Sequence, residues 1–268
     1  MPKLAFIGAG RMAGAMVRGL LRSGACRPAD IAVLGGAGVS AQKLSQETGV
    51  RLATAAADLM QGADAVVVAC KPQVFLTLDP SFGPPAAGKL VVSVLAGTRC
   101  ERLAGFFAGA RAIARAMPNT PGAVGQGITA LCSAQPLSSP DAAIVSAILS
   151  GLGATVEVPE SMFDAVTAVS GSSPGFFFEY VAAYEQAAVG LGFTPEQAKL
   201  LVRLTFSGSL ALLAATGETP ENLRNQVTSP GGTTKAGLDA LGAADFRQVV
   251  ASALLAAKAR GEELGKAK

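Results

Sequence analysis

The sequence predicts an α/β protein in which a doubly wound, mostly parallel sheet is followed by an all-helical region. Short apolar runs alternate with helical segments as far as residue 158, the order that right-handed β-α-β crossovers require. From Pro159 onward the apolar segments are longer and begin with helix-capping residues. We therefore expect two domains, 1–158 and 159–268. Half of the 268 residues are hydrophobic, which is enough for a sizeable core.

The first domain is expected to contain seven strands, each a short apolar run bounded by turn residues. These runs are Lys3–Ile7, Ile31–Leu34, Ala65–Cys70, Leu90–Leu95, Arg111–Met117, Ile128–Cys132 and Thr155–Val158. Helical segments fit between them. The first runs through Leu20, a short one covers Asp58–Gln61, and the last is Pro140–Leu152.

The second domain is expected to be helical because a hydroxyl residue precedes proline at three places, which is typical of a helix N-cap. The pairs are Ser173-Pro174, Thr194-Pro195 and Thr219-Pro220. The first helix should end near Gly190 or Gly192 and the second near Gly217. A long helix, Ala243–Leu264, is expected to close the chain.

The first two helices of this domain are apolar on nearly every side, including Phe176–Phe178 and Leu200-Leu201. Such helices are normally buried all round. A domain of about 110 residues cannot easily bury both by itself. We therefore expect a partner subunit, that is, a homo-oligomer.

Composition limits the class of protein. The net charge of +3 comes from dispersed basic residues without Lys/Arg runs, so we expect no nucleic-acid partner. The most apolar segment, Leu204–Thr216, is shorter than the roughly 20 residues that span a bilayer, so we expect no membrane span. The four cysteines lie thirty or more residues apart and histidine is absent. With no signal peptide recognised, we expect a cytoplasmic protein without a metal site.

The first local signal of a binding site is the stretch Gly8-Ala9-Gly10-Arg11-Met12-Ala13, which lies between the first strand and the first helix. Gly8 allows a tight turn, Gly10 lets the backbone approach a pyrophosphate, and Ala13 lets the helix pack closely on the strand. The pattern predicts a Rossmann-type dinucleotide site that includes Arg11 and Met12. The alternative is a glycine turn required by packing alone.

The end of the second strand favours NADP over NAD. An NAD site would place Asp or Glu there to bind the ribose 2′-hydroxyl, but the chain reads Leu34-Gly35-Gly36-Ala37-Gly38. Without a carboxylate, nothing repels a 2′-phosphate. No arginine follows, so Ser40 and Lys43 are the candidate phosphate partners, and NADH remains possible.

Three further loops follow expected strand ends and should flank the cofactor, because ligands bind at the carboxyl ends of strands in open α/β sheets. The candidate cofactor contacts in them are Ala69, Lys71, Pro72, Ala96, Gly97 and Asn119. The alternative is ordinary turn chemistry, since proline and glycine occur in any loop.

A second glycine-rich turn, Val227–Leu241, reads VTSPGGTTKAGLDAL and precedes an amphipathic helix. Its tip has hydroxyls and backbone N–H groups but no histidine or carboxylate. Because the chain lacks histidine altogether, most general-base schemes are excluded and the chemistry must depend on a cofactor or on other residues.

Together these stretches resemble the pyrroline-5-carboxylate reductase family. The resemblance covers nearly the whole chain, and its most specific part is the string from Pro220 to Thr234. The other matching stretches are the Gly8–Ala13 fingerprint, Lys71-Pro72-Gln73, Met117-Pro118-Asn119-Thr120-Pro121 and Ser170-Gly171-Ser172-Ser173-Pro174.

The resemblance implies a Rossmann domain, a helical domain that forms a dimer, often a decamer, and NAD(P)H reduction of L-1-pyrroline-5-carboxylate to L-proline. It implies that Gly232, Thr233 and Thr234 present backbone N–H groups to the substrate carboxylate, with Gly231 in the same substrate-binding turn and Ser229 nearby. The Thr234 hydroxyl would contact the ring nitrogen as the catalytic group. A protonated imine is already electrophilic, so hydride can add without a histidine acid.

The chain departs from the family pattern at five positions. Ser173, Gly175 and Phe176 stand where the family commonly has glycine, alanine and tyrosine. Asn225 stands where it has aspartate, and Ala56 where an asparagine lies near the adenosine ribose. A relative that reduces a six-membered piperideine carboxylate is therefore one alternative. The other is a non-catalytic, dinucleotide-binding regulatory protein.

Overall fold

The computed structural model describes residues 1–36 and 38–266. Ala37, part of the acid-free run after the second strand, lies outside these ranges. The chain forms two compact units. The first comprises Met1–Ser172 together with the C-terminal segment from Ala257, and the second is Ser173–Ala256.

The first unit contains one eight-stranded sheet with the strand order β3-β2-β1-β4-β5-β6-β7-β8. Its strands are β1 (Leu4–Ile7), β2 (Ile31–Leu34), β3 (Arg51–Leu52), β4 (Ala65–Val68), β5 (Leu90–Ser93), β6 (Ala112–Met117), β7 (Gly127–Ser133) and β8 (Gly153–Glu157). Neighbouring strands are parallel except β6 and β7, which are antiparallel. The doubly wound, mostly parallel sheet is confirmed.

Seven of these strands match the expected ones to within two residues at each end. The strand that the sequence did not predict is β3, which has two residues, both exposed. So short a strand has no alternation from which to recognise it. The α-helices of this unit are α1 (Arg11–Arg22), α2 (Ser40–Thr48), α3 (Ala56–Met60), α4 (Pro72–Leu76), α5 (Cys100–Phe106), α6 (Ser139–Ser150) and α7 (Phe163–Val166).

The core of the first unit lies on both faces of the sheet. Every residue of β1, β4 and β5 is buried, as expected for parallel strands covered by helices on both sides. Alternate residues of β1 belong to two separate hydrophobic clusters: Leu4 and Phe6 to one, Ala5 and Ile7 to the other. The sheet therefore lies between two helical layers.

The second unit consists of α8 (Ser173–Gly190), α9 (Pro195–Thr216), α10 (Pro220–Gln226), α11 (Thr233–Ala243) and the greater part of α12 (Phe246–Lys266). The caps at Thr194 and Thr219 are confirmed, since their hydroxyls accept hydrogen bonds from the N–H groups of Gln197 and Asn222. The final helix begins at Phe246 rather than Ala243, because α11 ends at Ala243 and Asp245 has φ 49°.

The predicted start of α8 at Ser173 and its end at Gly190 are confirmed, but Ser173 is not the N-cap of an isolated helix. A π-helical segment, Thr167–Ser172, connects α7 directly to α8, so helical backbone already precedes Ser173. Pro174 has no N–H to donate to a preceding carbonyl. Because the π-helical turn already departs from the i→i−4 pattern, that missing donor is tolerated there.

Apolar side chains of α8 and α9 remain exposed in the single chain. No residue of α8 is buried, and α9 buries only Ala198 and Val202. Phe178 is 62% exposed and Leu204 is 63% exposed. The expected burial on every side is therefore not achieved within one chain.

By length and composition α9 could cross a membrane, and so could the bent pair of α11 and α12 taken together. The sequence expectation considered only Leu204–Thr216, whereas α9 begins at Pro195. Such a helix is a weak indication of a span. Here Arg203 of α9 donates to Glu185 of α8 at 2.7 Å, so a polar side chain of the helix has its partner in the same unit.

Candidate active site

The glycine loop after β1 has the geometry of a dinucleotide site. Gly8 adopts φ +104°, and a Cβ there would lie 2.6 Å from the backbone nitrogen of Cys70 and 2.7 Å from the carbonyl of Ala69. Its N–H donates to the carbonyl of Leu34 at 2.8 Å. Only glycine fits this position, which holds the loop against the ends of both neighbouring strands.

Gly10 and the start of α1 form an open cradle. Gly10 precedes α1 in extended conformation with φ −74°, and a Cβ there would meet no atom within 4 Å. Packing does not require glycine here, so the open space is available to a ligand. No side chain caps the helix, which leaves first-turn N–H groups for an anion. Ala13 is fully buried. These residues fit a pyrophosphate.

The region after β2 has no carboxylate among its described residues, as the sequence predicted for NADP. Ser40 is the first residue of α2, and both it and Lys43 are exposed. Ala56 begins α3 and is 7% exposed. The roles of Ser40 and Lys43 stay predictions.

The remaining candidate cofactor residues lie at the carboxyl ends of β4, β5 and β6, three consecutive strands. Ala69 is nearly buried and its N–H donates to the carbonyl of Ile7 at 2.9 Å. The side-chain oxygen of Asn119 accepts from the N–H of Ile128 at 3.1 Å, so it secures the start of β7. Lys71 is exposed, and Pro72, Ala96 and Gly97 are half-buried. At the start of α1, Arg11 is exposed and Met12 is half-buried.

The second glycine turn connects α10 to α11. Gly231 has φ +71°, and Gly232 is the extended residue that precedes α11. A Cβ on Gly232 would lie 2.5 Å from Ser229 Oγ, so the seryl side chain occupies the space that glycine leaves. No side chain caps α11. Its free first-turn N–H groups can bind a small carboxylate.

The hydroxyl groups of this turn differ in their surroundings. Thr228 Oγ1 donates to the carbonyl of Arg224 at 2.6 Å and holds the turn to α10. Ser229, Thr233 and Thr234 are exposed in the single chain. Lys235 donates to Asp239, one helical turn away, at 2.6 Å.

Sequence reasoning missed a polar cluster in the first unit. Arg115 of β6 is 3% exposed, donates to Glu160 at 3.1 Å, and lies over the ring of Phe163 at 4.4 Å. Cys100 and Cys132 lie beside Glu160. The wide spacing of the cysteines along the chain had argued against a metal site, but the sheet topology brings Cys100 and Cys132 together. The only sequence signal was that both cysteines lie close to an expected strand end.

This fold and these two loops define a dinucleotide-dependent oxidoreductase with a helical second domain. A family profile described as "NADP oxidoreductase coenzyme F420-dependent" matches residues 3–97. A second, described as "Pyrroline-5-carboxylate reductase dimerisation", matches residues 160–264. The chain belongs to the pyrroline-5-carboxylate reductase family, and its helical half is a dimerisation domain, so the protein is a homo-oligomer.

Similar proteins cover the chain from end to end. Pyrroline-5-carboxylate reductase 2 of Bacillus subtilis is 35% identical over 251 residues, which is 93% of this chain and 90% of that protein. The Coxiella burnetii pyrroline-5-carboxylate reductase structure superposes with a TM-score of 0.90 at 30% identity and covers 99% of both chains. The Plasmodium falciparum pyrroline carboxylate reductase structure, with NADP bound, gives 0.88 at 26% identity, covering 99% of this chain and 98% of that one.

Proposed function

We infer that this protein is a pyrroline-5-carboxylate reductase that transfers hydride from NADPH to the C=N bond of L-1-pyrroline-5-carboxylate and so produces L-proline. The observation that carries this conclusion is the full-length similarity to proteins of that name. The open, uncapped turn before α11 supports it, because it suits a small carboxylate and has no acid or base at its tip.

The cofactor half of the proposed site is built by the first unit. The uncapped start of α1 binds the pyrophosphate over Gly10. NADPH supplies the hydride. The chain contributes Arg11, Met12 and Ala13 at the start of α1 and the loops after β4, β5 and β6 beside the nicotinamide. The acid-free end of β2 favours the 2′-phosphate, which is why we assign NADPH rather than NADH as the preferred donor.

The substrate half is the turn before α11. We assign the carboxylate to the N–H groups of Thr233 and Thr234 at the start of α11, because the Gly232 N–H already donates to the carbonyl of Ser229 at 3.0 Å. Gly231 and Gly232 shape the turn, and Ser229 packs beside it. Thr234 accepts a hydrogen bond from the ring N–H and so orients the C=N bond. The imine enters already protonated, so the protein contributes orientation and electrostatics rather than an acid.

Thr234→Ala tests the catalytic assignment. We expect kcat/KM for pyrroline-5-carboxylate with NADPH to fall on the order of tenfold to a hundredfold, because the hydrogen bond that orients the ring nitrogen is lost. Thr234→Ser keeps the hydroxyl and should retain most of the activity. Unchanged kcat/KM in the alanine variant contradicts the assignment. If the wild-type enzyme prefers a six-membered piperideine carboxylate, the assignment of pyrroline-5-carboxylate as the substrate is contradicted.

Two glycine variants test the cofactor half. Gly10→Ala has space in the protein, so we expect an unchanged melting temperature but NADPH binding weakened by roughly tenfold, because the new methyl group meets the pyrophosphate. Gly8→Ala meets the backbone of Cys70 and should lower both melting temperature and binding. Fluorescence titration with NADPH and then with NADH measures the binding of both variants. Unchanged NADPH affinity in Gly10→Ala contradicts the site.

We also propose that the domain boundary lies between residues 158 and 159, that dimers assemble further into a decamer, and that the enzyme works in the cytoplasm. The start of the dimerisation match at residue 160 supports the boundary. Four free cysteines support a reducing compartment. We assign neither nucleic acid nor a membrane as a partner. Light scattering after size-exclusion chromatography distinguishes the dimer from the decamer.

A further inference from the structure

Two cysteines of the first unit meet although 32 residues separate them along the chain. Cys100 is the first residue of α5 and is 4% exposed, whereas Cys132 lies in β7 and is half-buried. Their sulfur atoms and a carboxylate oxygen of Glu160 all lie within 4.8 Å of one another. The two side chains are therefore close enough to react after small rotations, since a disulfide needs an S–S distance of about 2 Å.

The surroundings of this pair are charged and largely enclosed. Glu160 Oε1 accepts from the N–H of Cys100 at 2.7 Å and from Arg115 Nη1 at 3.1 Å. Arg115 is 3% exposed, and its Nε has no hydrogen-bond partner among the residues that the structure describes. A buried guanidinium with a free donor beside two thiols favours a negative charge on sulfur.

The two sulfurs are chemically unequal. The pKa of Cys132 is lowered, chiefly because the Cys100 S–H donates to its sulfur; Arg115 adds to this, whereas burial and the Glu160 carboxylate oppose it. The pKa of Cys100 is raised by the same hydrogen bond and by burial. Burial also raises the pKa of Cys26, and that of Cys70 to about 11. Cys132 is also the more accessible of the paired sulfurs, since it is half-buried whereas Cys100 is 4% exposed, so we take Cys132 as the nucleophile and Cys100 as the neighbour that can resolve its oxidation.

We propose that Cys100 and Cys132 form a reversible disulfide when the protein meets a hydroperoxide. The Cys132 thiolate attacks one oxygen of hydrogen peroxide, which breaks the O–O bond, gives a sulfenic acid and releases hydroxide. The Cys100 sulfur then attacks the sulfenic sulfur, the S–O bond breaks, and the thiol proton leaves with that oxygen as water. The two sulfurs lose two electrons in total, and the peroxide is reduced by two.

A small oxidant can reach Cys132. The residue lines a surface cavity of about 380 Å³ together with Ser133, Glu157 and Glu160. Glu160 is one-third exposed, so the cluster is open on that side. Among the described residues, neither Cys26 nor Cys70 lies in a comparable cluster of thiols and carboxylates.

The same three donors are a poor metal site. A structural zinc ion takes four ligands, usually thiolates and imidazoles, and this group offers three. The Glu160 oxygen already accepts two hydrogen bonds, one of them from a guanidinium whose positive charge opposes a cation. The geometry therefore points to thiol chemistry rather than to metal binding.

The test treats the purified oligomer with hydrogen peroxide and counts free thiols after denaturation. We expect the count to fall from four to two, with an intact mass lower by two hydrogen atoms and full recovery with a dithiol reductant. Peptide mapping should identify the Cys100–Cys132 bond. Cys26→Ser and Cys70→Ser are the matched controls and should lose two thiols at the wild-type rate.

Two variants separate the steps. Cys100→Ser should stop at the sulfenic acid on Cys132, which a dimedone probe labels. Cys132→Ser should slow thiol loss on the order of tenfold or more, because the thiolate nucleophile is removed. Alanine versions and melting curves control for folding. Thiol loss that is equally fast in Cys132→Ser, a bond mapped to another cysteine, or four free thiols after peroxide treatment overturns the proposal.

Discussion

β4 and α8 are both apolar, but β4 is buried within the chain whereas α8 is largely exposed. Every residue of β4 is 0% exposed, whereas Phe176, Phe177 and Phe178 of α8 are between 41% and 62% exposed. The first unit covers its strands with its own helices. The second unit belongs to a dimerisation domain, so we infer that another copy of the chain covers its apolar side chains. An apolar run therefore predicts that burial is needed, but not which chain provides it.

The largest effect on folding is expected from a charge placed in the buried strands of the first unit. Val67→Asp places a carboxylate at a fully buried position in the middle of the sheet, where it has no partner. We expect no soluble folded protein, because burying an unpaired charge costs several kcal/mol, comparable to the roughly 5–15 kcal/mol that holds a domain together. Soluble yield and a thermal melt measure it.

Leu52→Asp is the matched control, because Leu52 lies in strand β3 of the same sheet but is 38% exposed. It should fold and melt within a few degrees of wild type. If Val67→Asp folds as well as Leu52→Asp, the first unit does not depend on burial of its central strands as we infer.

The difference between the units also explains how much the sequence could predict. Alternating short apolar runs and helical segments predicted the sheet, and the hydroxyl-proline caps at Thr194 and Thr219 predicted α9 and α10. The start of α8 at Ser173 was also predicted, but the π-helical segment Thr167–Ser172 before it was not, because that segment carries no local signal.

The same reasoning applies to the site. Gly8 and Gly231 were recognisable because each needs a backbone conformation that glycine prefers, and both have positive φ. Arg115, Cys100 and Cys132 were not recognisable. Their proximity depends on the antiparallel pairing of β6 and β7, where Arg115 lies opposite Cys132, and register is a property of the folded sheet rather than of either segment.

The second-largest effect is expected in the dimerisation domain. Phe178→Asp should leave the first unit folded but convert the oligomer to monomers, because a symmetric interface loses the apolar contact twice. Burying a Phe side chain contributes about 2–3 kcal/mol, so the pair of substitutions removes most of a typical micromolar association energy. Sedimentation velocity measures the assembly and NADPH titration reports on the first unit.

Leu52→Asp again serves as the control and should remain oligomeric. If Phe178→Asp forms an oligomer of wild-type size, the interface between copies is formed by a surface that does not include Phe178. A monomer that also fails to bind NADPH means that the two units are not independent, and the contrast between them is then weaker than we infer.

The smallest expected effect comes from comparing a buried carboxylate of the first unit with an exposed carboxylate of the second. Asp141 is buried at the start of α6, where Oδ1 accepts from Arg111 at 2.6 Å and Oδ2 accepts from Ser138 Oγ at 2.9 Å. The hydrogen bond from Arg111 lowers the pKa of Asp141, with Ser138 adding to it. Because the folded pKa is depressed, this stabilisation is present above the ordinary carboxyl pKa and is lost as pH falls through the folded value.

Asp141→Asn should therefore reduce the free energy of unfolding by about 1–3 kcal/mol at pH 7, with the difference from wild type shrinking under acid conditions. Asp239→Asn is the matched change in the second unit. Asp239 pairs with Lys235 one helical turn away and its side chain is 63% exposed, so we expect a change within about 0.5 kcal/mol. Urea unfolding at pH 7 and pH 3 measures both. Two results contradict the claim that the buried Asp141 carboxylate stabilises the first unit. One is an equal loss of unfolding free energy in both variants, and the other is a loss in Asp141→Asn that is as large at pH 3 as at pH 7.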